Sequence, residues 1–134
     1  MRVKNRLLAP EVLQTSVMDC GPAVLKCLLE GFGIAASYDR LREACQTEVD
    51  GTSIDTIERV VQELGLQAEQ IMVPLDHVLL NASQILPAIV VVQPSNGCIH
   101  FVLAWNRHGW RVQVMDPATG RRWPACKQFL NEIY

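Results

Sequence analysis

The chain has 134 residues, of which 49% are hydrophobic and 19% are charged. This size and balance are typical of one globular domain, so residues 1–134 are interpreted as a single domain. A chain of this length buries about two-thirds of the surface that its unfolded form exposes, which excludes a disordered tail and a miniprotein that depends on disulfides.

The charge is nearly balanced, with 12 basic and 14 acidic residues and a net charge of −2. The chain contains no block of basic residues, so the positive patch that binds phosphate backbones is missing. Nucleic acid is therefore not expected as a partner. The longest apolar run, Ile85 to Val92, has eight residues and contains Pro87. A helix needs about twenty residues to cross a bilayer, so no membrane span is expected.

The N-terminus is basic, but only three apolar residues, 7–9, follow before Pro10. This stretch is too short for a secretory signal, so a cytosolic start is expected. The cysteines are odd in number and widely spaced, without a Cys-x-x-Cys pair, which argues against a disulfide framework and a structural zinc site. No metal or cofactor is assigned, and most of these cysteines are expected in the core. They are Cys20, Cys27, Cys45, Cys98 and Cys126.

Helical periodicity dominates the first half of the chain. Apolar residues recur at three-residue and four-residue steps over residues 20–32, and Gly31 and Gly33 favour the end of this helix. Three further helices are predicted from their capping residues or from a proline. They run from Ser37 to about Gln46, from Thr52 or Ser53 to Gly65, and from Pro74 through Leu79.

After Leu86 the apolar period becomes that of strands. Strands are predicted over residues 88–93, 98–105 and 110–116, with an edge strand over residues 66–73 and a closing helix over residues 124–133. Two tight connections in succession indicate an antiparallel meander. The predicted fold class is therefore α+β, with the helices gathered on one side of a small antiparallel sheet.

Cys20 is the candidate nucleophile because it stands at the start of the strongest predicted helix. At that position the unpaired N–H groups and the helix dipole favour a thiolate, which is expected to lower the pKa of the thiol. Gly21 allows close backbone approach, and Pro22 fits a first turn that has no use for its missing N–H. The alternative is a cysteine that only begins a core helix; Cys27, two turns later, is expected to be a core residue.

A thiolate mechanism needs a base, and the chain contains three histidines. His77 and His108 are expected in solvent, the first in a short amphipathic segment and the second in a turn. His100 interrupts an apolar strand, where a polar side chain needs a partner. It is interpreted either as the base or as a core histidine bound to a backbone carbonyl.

Hairpin geometry relates His100 to Asp116. If residues 107–109 form a three-residue loop with Gly109 in the left-handed conformation, His100 lies opposite Asp116 on one face of the sheet. A two-residue or four-residue loop would place Asp116 on the other face. In the expected register the carboxylate orients the imidazole while the other ring nitrogen faces the thiol. The alternative is that Asp116 only caps the turn that follows it.

Gln14 is the fourth candidate residue. Its side-chain amide can fold back over the loop and donate to an oxyanion together with the backbone N–H of Cys20. The alternative is an ordinary loop glutamine in solvent.

Four runs of residues match the motifs of a known family in the family's order. They are residues 14–23, Asp50-Gly51-Thr52-Ser53, His100-Phe101-Val102 and Asp116-Pro117-Ala118-Thr119-Gly120. From about residue 10 to residue 129 the chain thus resembles the bacteriocin-processing cysteine peptidases, the double-glycine leader peptidase domains at the N-terminus of peptidase-containing ABC exporters. The main departure is Pro22, where family members more often carry a small residue such as alanine.

The resemblance implies a papain-like fold in which a helical N-terminal half packs on a C-terminal antiparallel sheet. It implies Cys20 as nucleophile, His100 as general base and acid, Asp116 as the orienting residue and Gln14 as the oxyanion donor. The implied reaction is endopeptidase cleavage after the Gly-Gly or Gly-Ala pair that ends the leader of a ribosomally made precursor peptide.

The implied partners are that precursor, with its amphipathic leader, and the transmembrane and nucleotide-binding domains of an ABC exporter. The implied location is the cytoplasmic side of the bacterial plasma membrane. The chain carries no Gly-rich nucleotide-binding loop, so it is interpreted as either an excised exporter domain or a stand-alone peptidase, and ATP binding is not assigned to these residues.

Two other functions stay open from the sequence. Related domains of some exporters lack the nucleophile and only dock the substrate, and another papain-like amidase or acyltransferase would share the thiol chemistry. Asp19 matches an acidic position of the family, but the sequence assigns it no role.

Overall fold

The computed structural model describes residues 8–14, 19–45, 53–72, 74, 77–79, 85–93 and 100–133. Three helices come first: α1 (Cys20–Gly31), α2 (Tyr38–Cys45) and α3 (Ile54–Glu63). An antiparallel sheet follows, in the order β1 (Ala88–Val92), β2 (His100–His108), β3 (Arg111–Asp116) and β4 (Gly120–Arg122), and α4 (Cys126–Glu132) comes last. The predicted α+β class, with its helical first half and strand-rich second half, is confirmed.

Three predicted features lie wholly or partly outside the described residues. Residues 50–52 of the second motif and Cys98 are not among them. Of the short helix predicted from Pro74, only Pro74 and residues 77–79 are described, and the N–H of His77 donates to the carbonyl of Pro74 at 2.9 Å. This hydrogen bond closes a single turn.

Helix α1 is apolar on more than one side, as a helix at the centre of a domain must be. Val24 and Cys27 pack toward the sheet, whereas Leu25 and Leu29 pack against α2 and α3. The helix ends at Gly31, close to the predicted position, and Gly33 adopts a φ of +82° just beyond it. Sequence periodicity therefore located this helix correctly.

The predicted caps of α2 and α3 are also present. The hydroxyl of Ser53 accepts a hydrogen bond from the N–H of Thr56 at 3.2 Å, and that of Ser37 accepts one from the N–H of Arg40 at 3.5 Å. These bonds satisfy N–H groups that have no partner within the first helical turn.

The edge strand predicted over residues 66–73 is wrong for the described part of that range, residues 66–72, which contains no strand. This segment instead follows α3. The side-chain amide of Gln62 donates to the carbonyl of Ala68 at 2.8 Å, and the N–H of Gln70 donates to the carboxylate of Glu58 at 3.0 Å. Side chains of the helix thus bond to backbone groups that a neighbouring strand would pair with in a sheet.

Helices cover both faces of the sheet, so the prediction that they gather on one side is wrong. Leu103 and Met115 face α1, whereas Val102 and Val114 face the opposite way and pack around Phe129 of α4. Alternate residues of a strand point to opposite faces, so an apolar run such as β2 can supply two cores. Strand β4, which the sequence analysis did not predict, completes the sheet beside β3.

The turn between β2 and β3 is shorter than predicted. His108 pairs with Arg111, which leaves a two-residue turn of Gly109 and Trp110, with Gly109 at a φ of +64°. The predicted three-residue loop is therefore wrong. Gly109 does adopt the left-handed conformation, but as the first residue of the turn.

A bulge in β2 corrects the register that the short turn would impose. Asn106 pairs with Gln113, but Ala104 pairs with Val114, so Trp105 is one extra residue on β2. Between the bulge and His100, each β2 residue therefore pairs with a β3 residue one position away from the partner that the turn alone would give it. This shift moves the β2 side chains to the other face relative to β3. His100 and Asp116 consequently lie on the same face, as predicted, but as diagonal neighbours rather than directly opposite each other.

Gly31 permits the close approach of α1 to the bulge, and replacing it tests this contact. A Cβ there would lie 2.5 Å from a ring carbon of Trp105, so Gly31→Ala is expected to lower the free energy of unfolding by roughly 1–3 kcal/mol. Urea denaturation followed by circular dichroism measures the loss. In a Trp105→Leu background the same substitution should cost less, because the indole that it strikes is gone.

Gly33→Ala is the matched control for this prediction. No atom lies within 4 Å of a Cβ at Gly33, so its cost is confined to the backbone conformation and should be the same with Trp105 or Leu at position 105. Equal costs for Gly31→Ala in the two backgrounds would contradict the predicted contact.

Candidate active site

Cys20 is the first residue of α1 and is only 9% exposed. Burial raises the pKa of its thiol; the backbone N–H groups of Phe101, Gly21 and Cys20 itself lower it in part, and the charge of Asp116 raises it further. The net pKa is raised, so the lowered value expected from the helix start is wrong for the isolated thiol. The helix N–H groups are present, but exclusion of water outweighs them. Formation of a thiolate here requires a base.

The contact with the N–H of Phe101 joins the start of α1 to β2. Phe101 directly follows His100 on that strand, so the Cys20 sulfur lies against the backbone beside the candidate base. Phe101 and Val24 also belong to the same apolar cluster between α1 and the sheet. Packing of helix on sheet therefore sets where the sulfur sits.

His100 contacts Asp116. The imidazole Nε2 lies 3.4 Å from Oδ1 of the carboxylate, and the two side chains are 18% and 9% exposed. Since Nε2 faces Asp116, Nδ1 is the ring nitrogen that remains for the thiol. The alternative that His100 binds only a backbone carbonyl does not describe this contact.

Asp116 makes the contacts that both sequence interpretations predicted. Its Oδ1 accepts a hydrogen bond from the N–H of Ala118 at 2.9 Å, so the carboxylate caps the turn after β3 while it faces His100. The turn contact thus holds the carboxylate beside the imidazole.

Asp116 is held in its ionised form. Burial raises the pKa of this carboxyl, but the ring of His100, the N–H of Ala118 and the charges of His100 and Arg122 together lower it by more. The pKa lies below the ordinary value, so the carboxylate is charged at neutral pH. A carboxylate that is charged at neutral pH favours the protonated form of a neighbouring imidazole.

Gln14 lies at the same end of the sheet and is half-buried. Its backbone N–H donates to the carbonyl of Pro117 at 2.8 Å, in the turn that Asp116 caps. The preceding residues are tied to the sheet as well: the N–H of Ala9 donates to the side chain of Gln113 at 2.7 Å, and the N–H of Arg121 donates to Glu11 at 3.2 Å. The chain that carries Gln14 is therefore fixed beside Asp116.

Asp19 gains a role that the sequence did not assign. It precedes Cys20 at the N-cap of α1, is fully buried, and places Oδ2 at 3.2 Å from Nε of Arg42 on α2. This ion pair joins the start of α1 to the neighbouring helix. Asp19 thus anchors the start of α1 beside the candidate nucleophile.

Sequence reasoning missed Arg122 and Gln113. Arg122 approaches Asp116 from β4, and Gln113 is a fully buried glutamine on β3 that holds Ala9 and donates to Asn106 at 3.3 Å. A polar residue within the apolar run of β3 was a usable signal for Gln113. Arg122, the second arginine of an adjacent pair, carried none.

The structure describes three cysteines besides Cys20. Cys27 is fully buried, donates its thiol proton to the carbonyl of Pro10 at 2.9 Å, and has its pKa raised to about 12 by burial. Cys45 is also buried, and Cys126 is half-buried. Cys27 is the core residue that the sequence predicted.

The remaining histidines give one agreement and one correction. His77 is exposed, as predicted. His108 lies on β2 rather than in a turn and is half-buried, with its ring 5.3 Å from that of Trp123. The expectation that His108 is solvated in a turn is wrong because the turn is shorter and β2 extends to this residue.

Within the described ranges, no helix is long and apolar enough to span a membrane. The same residues contain no group of three or more His, Cys, Asp or Glu side chains that could hold a metal ion.

Comparison with known proteins relates this chain to transport proteins that process peptides. The lactococcin-G-processing and transport ATP-binding protein LagD of Lactococcus lactis subsp. lactis is 27% identical over 121 residues. The match covers 90% of this chain but 17% of LagD, so the chain spans about a sixth of that relative's length.

Two solved structures have a similar fold. A double glycine motif protease from an AMS/PCAT transporter, in complex with the leader peptide, aligns with a TM-score of 0.81 and 19% identity, over 97% of this chain and 89% of that one. The peptidase domain of Streptococcus ComA aligns with a TM-score of 0.81 and 24% identity, over 91% and 90% of the two chains. Residues 9–133 match the Peptidase C39 family. The chain belongs to this family of cysteine peptidases.

Proposed function

We propose that this domain is a cysteine endopeptidase that removes leaders ending in Gly-Gly or Gly-Ala from ribosomally made precursor peptides during export by an ABC transporter. The observation that carries the proposal is the arrangement at the start of β2. There the Cys20 sulfur lies against the N–H of Phe101, and the adjacent His100 is held on Asp116 at 3.4 Å. The substrate class is supported by the similarity to LagD, a lactococcin-G-processing and transport protein, and to the PCAT protease, whose structure contains the leader peptide.

The first chemical step is formation of the nucleophile. Nδ1 of His100 takes the proton of the Cys20 thiol, and the ionised Asp116 stabilises the resulting imidazolium. Because burial raises the pKa of the thiol, the thiolate depends on this ion pair more than on the helix start. The thiolate then attacks the carbonyl carbon of the second small residue of the leader's terminal pair.

The remaining steps use the same groups. The side-chain amide of Gln14 and the N–H of Cys20 donate to the oxyanion of the tetrahedral intermediate. The imidazolium of His100 gives its proton to the departing amine, which leaves a thioester on Cys20. Water, deprotonated by His100, hydrolyses that thioester and releases the leader with a free carboxylate.

Substrate selection follows from the small residues at the cut. Glycine suits a narrow cleft in which a larger side chain would clash, so binding energy must come from the rest of the leader. An amphipathic leader helix whose apolar face packs on the domain supplies it. The partners are thus the precursor and the transmembrane and nucleotide-binding domains of the exporter, with residues 1–134 as one peptidase domain on the cytoplasmic side of the bacterial plasma membrane.

Cys20→Ala is expected to abolish cleavage of a Gly-Gly precursor while leaving binding of the leader intact, because only the sulfur is lost. Mass spectrometry of the products measures cleavage, and fluorescence anisotropy of a labelled leader measures binding. Cys126→Ala, which removes a half-buried thiol on α4, is the matched control and should cleave like the wild type.

Three outcomes of these measurements, extended by labelling with a thiol probe, would contradict the proposal in different ways. Processing by Cys20→Ala at the wild-type rate would refute Cys20 as nucleophile. Leader binding without cleavage by the wild type would indicate a docking domain. Labelling of Cys20 by a thiol probe, without cleavage of any Gly-Gly peptide, would indicate another thiol amidase or acyltransferase.

Gln14→Ala is expected to lower kcat by roughly 100-fold to 1,000-fold with little change in KM, because the amide is needed only when the oxyanion forms. Steady-state kinetics on the precursor separates the two constants. Gln128→Ala, at an exposed position on α4, controls for loss of a glutamine and should leave both unchanged. A rise in KM at constant kcat would instead make Gln14 a substrate-binding residue.

Alkylation of the native protein distinguishes Cys20 from Cys27. At about pH 8, iodoacetamide is expected to modify Cys20 at least roughly tenfold faster, because Cys27 is fully buried with a pKa raised to about 12. Peptide mapping at timed intervals measures both rates in one sample. His100→Ala should slow the modification of Cys20 alone, whereas equal rates in the native wild type would contradict the assignment.

A further inference from the structure

We infer that Arg122 is a positioning residue that holds the Asp116 carboxylate in register with His100, and that Glu132 on α4 anchors it. The inference rests on the proposed function, since it assigns a role within the same site. It concerns a chain of four side chains that runs from His100 through Asp116 and Arg122 to Glu132.

The two oxygens of Asp116 have different neighbours. Oδ1 faces Nε2 of His100 at 3.4 Å and the N–H of Ala118 at 2.9 Å, whereas Oδ2 faces Nε of Arg122 at 3.7 Å. The distance to Arg122 is too long for a hydrogen bond, so the guanidinium acts on the carboxylate through its charge. A positive charge on the Oδ2 side favours the orientation that leaves Oδ1 on the imidazole.

Glu132 fixes the guanidinium. Nη2 of Arg122 donates to Oε1 of Glu132 at 2.8 Å and Nη1 donates to Oε2 at 3.4 Å, in the two-pronged geometry of an arginine–carboxylate pair. The two side chains are 29% and 22% exposed, so water screens the pair only in part. With both terminal nitrogens engaged, Nε is the edge that remains for Asp116.

The backbone at the end of α4 is bonded to the end of β1, the strand that pairs with β2 at His100. The carbonyl of Glu132 accepts a hydrogen bond from the N–H of Gln93 at 2.8 Å, and Ile133 bridges to Val92. Val92 is in turn the cross-strand partner of His100. The contacts therefore form a ring through β2, β3, β4, α4 and β1, and charges of opposite sign alternate along its side chains when His100 is protonated.

The charged and titratable groups that face Asp116 come from three elements: His100 from β2, Arg122 from β4 and Cys20 from α1. Arg122 is the permanent cation among them, and its charge contributes to the lowered pKa of Asp116. Removing it should therefore let Asp116 take up a proton at a higher pH. Protonated Asp116 no longer stabilises the imidazolium, so activity on the acid side should be lost at a higher pH as well.

Arg122→Gln is expected to lower kcat by roughly 10-fold to 100-fold at an unchanged KM and to move the acid limb of the pH profile of kcat/KM to higher pH. Arg122→Lys should return the acid limb toward its wild-type position, because the charge is restored without the two-pronged geometry. Arg59→Gln, an exposed arginine on α3, removes the same charge away from the site and should leave kcat and the pH profile unchanged.

A second measurement needs no substrate. Titration of the Asp116 side-chain carbon by NMR should show its pKa higher in Arg122→Gln than in the wild type, with Arg122→Lys closer to the wild type. If the wild type cleaves no Gly-Gly precursor, the proposed function fails, but this titration still decides the role of Arg122. An unchanged Asp116 titration in a folded Arg122→Gln variant would overturn the inference, and so would an unmoved acid limb in an active one.

Discussion

Trp105 adds one residue to β2 between the pairs Ala104–Val114 and Asn106–Gln113, and the geometry of the site depends on that insertion. The two-residue turn at Gly109 and Trp110 would by itself place Asp116 on the opposite face from His100. The bulge reverses the alternation over the rest of the hairpin, which brings the two side chains within 3.4 Å. The bulged indole is itself buried between Phe32 and Gly31 of the α1 region, so packing of the first helix holds the bulge in place.

Electrostatics distinguishes the two acidic groups of the candidate site, the Cys20 thiol and the Asp116 carboxyl. Burial is the largest influence on both, yet the net pKa of the Cys20 thiol is raised, while that of Asp116 is lowered because His100, Ala118 and Arg122 outweigh the burial. In the proposed mechanism these opposite shifts suit the thiol to give up its proton only to a base and the carboxyl to stay ionised. The imidazole of His100 contacts the Asp116 carboxylate and directly precedes Phe101, whose N–H contacts the Cys20 sulfur, which is the placement that the proposed proton transfer needs.

The helices were predictable because their signals are local. Apolar spacing located α1, and the Ser53 cap and Gly65 bracketed α3, since each depends on residues within a turn or two. The turn after His108 was not predictable in the same way, because a lone glycine between two strands fits loops of different length. Two errors cancelled there: the loop was one residue too long, and the bulge was not foreseen, so the correct face for Asp116 came from an incorrect register.

The parts of the site that the sequence did not predict are contacts between residues of different elements. The four candidate residues were readable from motif and context, but Arg122 meets Glu132 ten positions later only because α4 packs on the face of the sheet opposite α1. The sequence reading had placed all helices on one face. An amphipathic pattern says that a helix is covered, without saying by which face of the sheet.

The three-residue strand β4 shows how little chain is needed to position two parts of the site. Its adjacent arginines point to opposite faces, as alternation requires. The guanidinium of Arg121 donates a hydrogen bond to the carbonyl of Ala9, and its backbone N–H donates one to the carboxylate of Glu11. These bonds hold the segment that ends at Gln14. Arg122 turns the other way, toward Asp116 and Glu132. One face of this short strand therefore holds the segment that leads to Gln14, and its other face contacts the Asp116 carboxylate. A shift of β4 along β3 would disturb both at once.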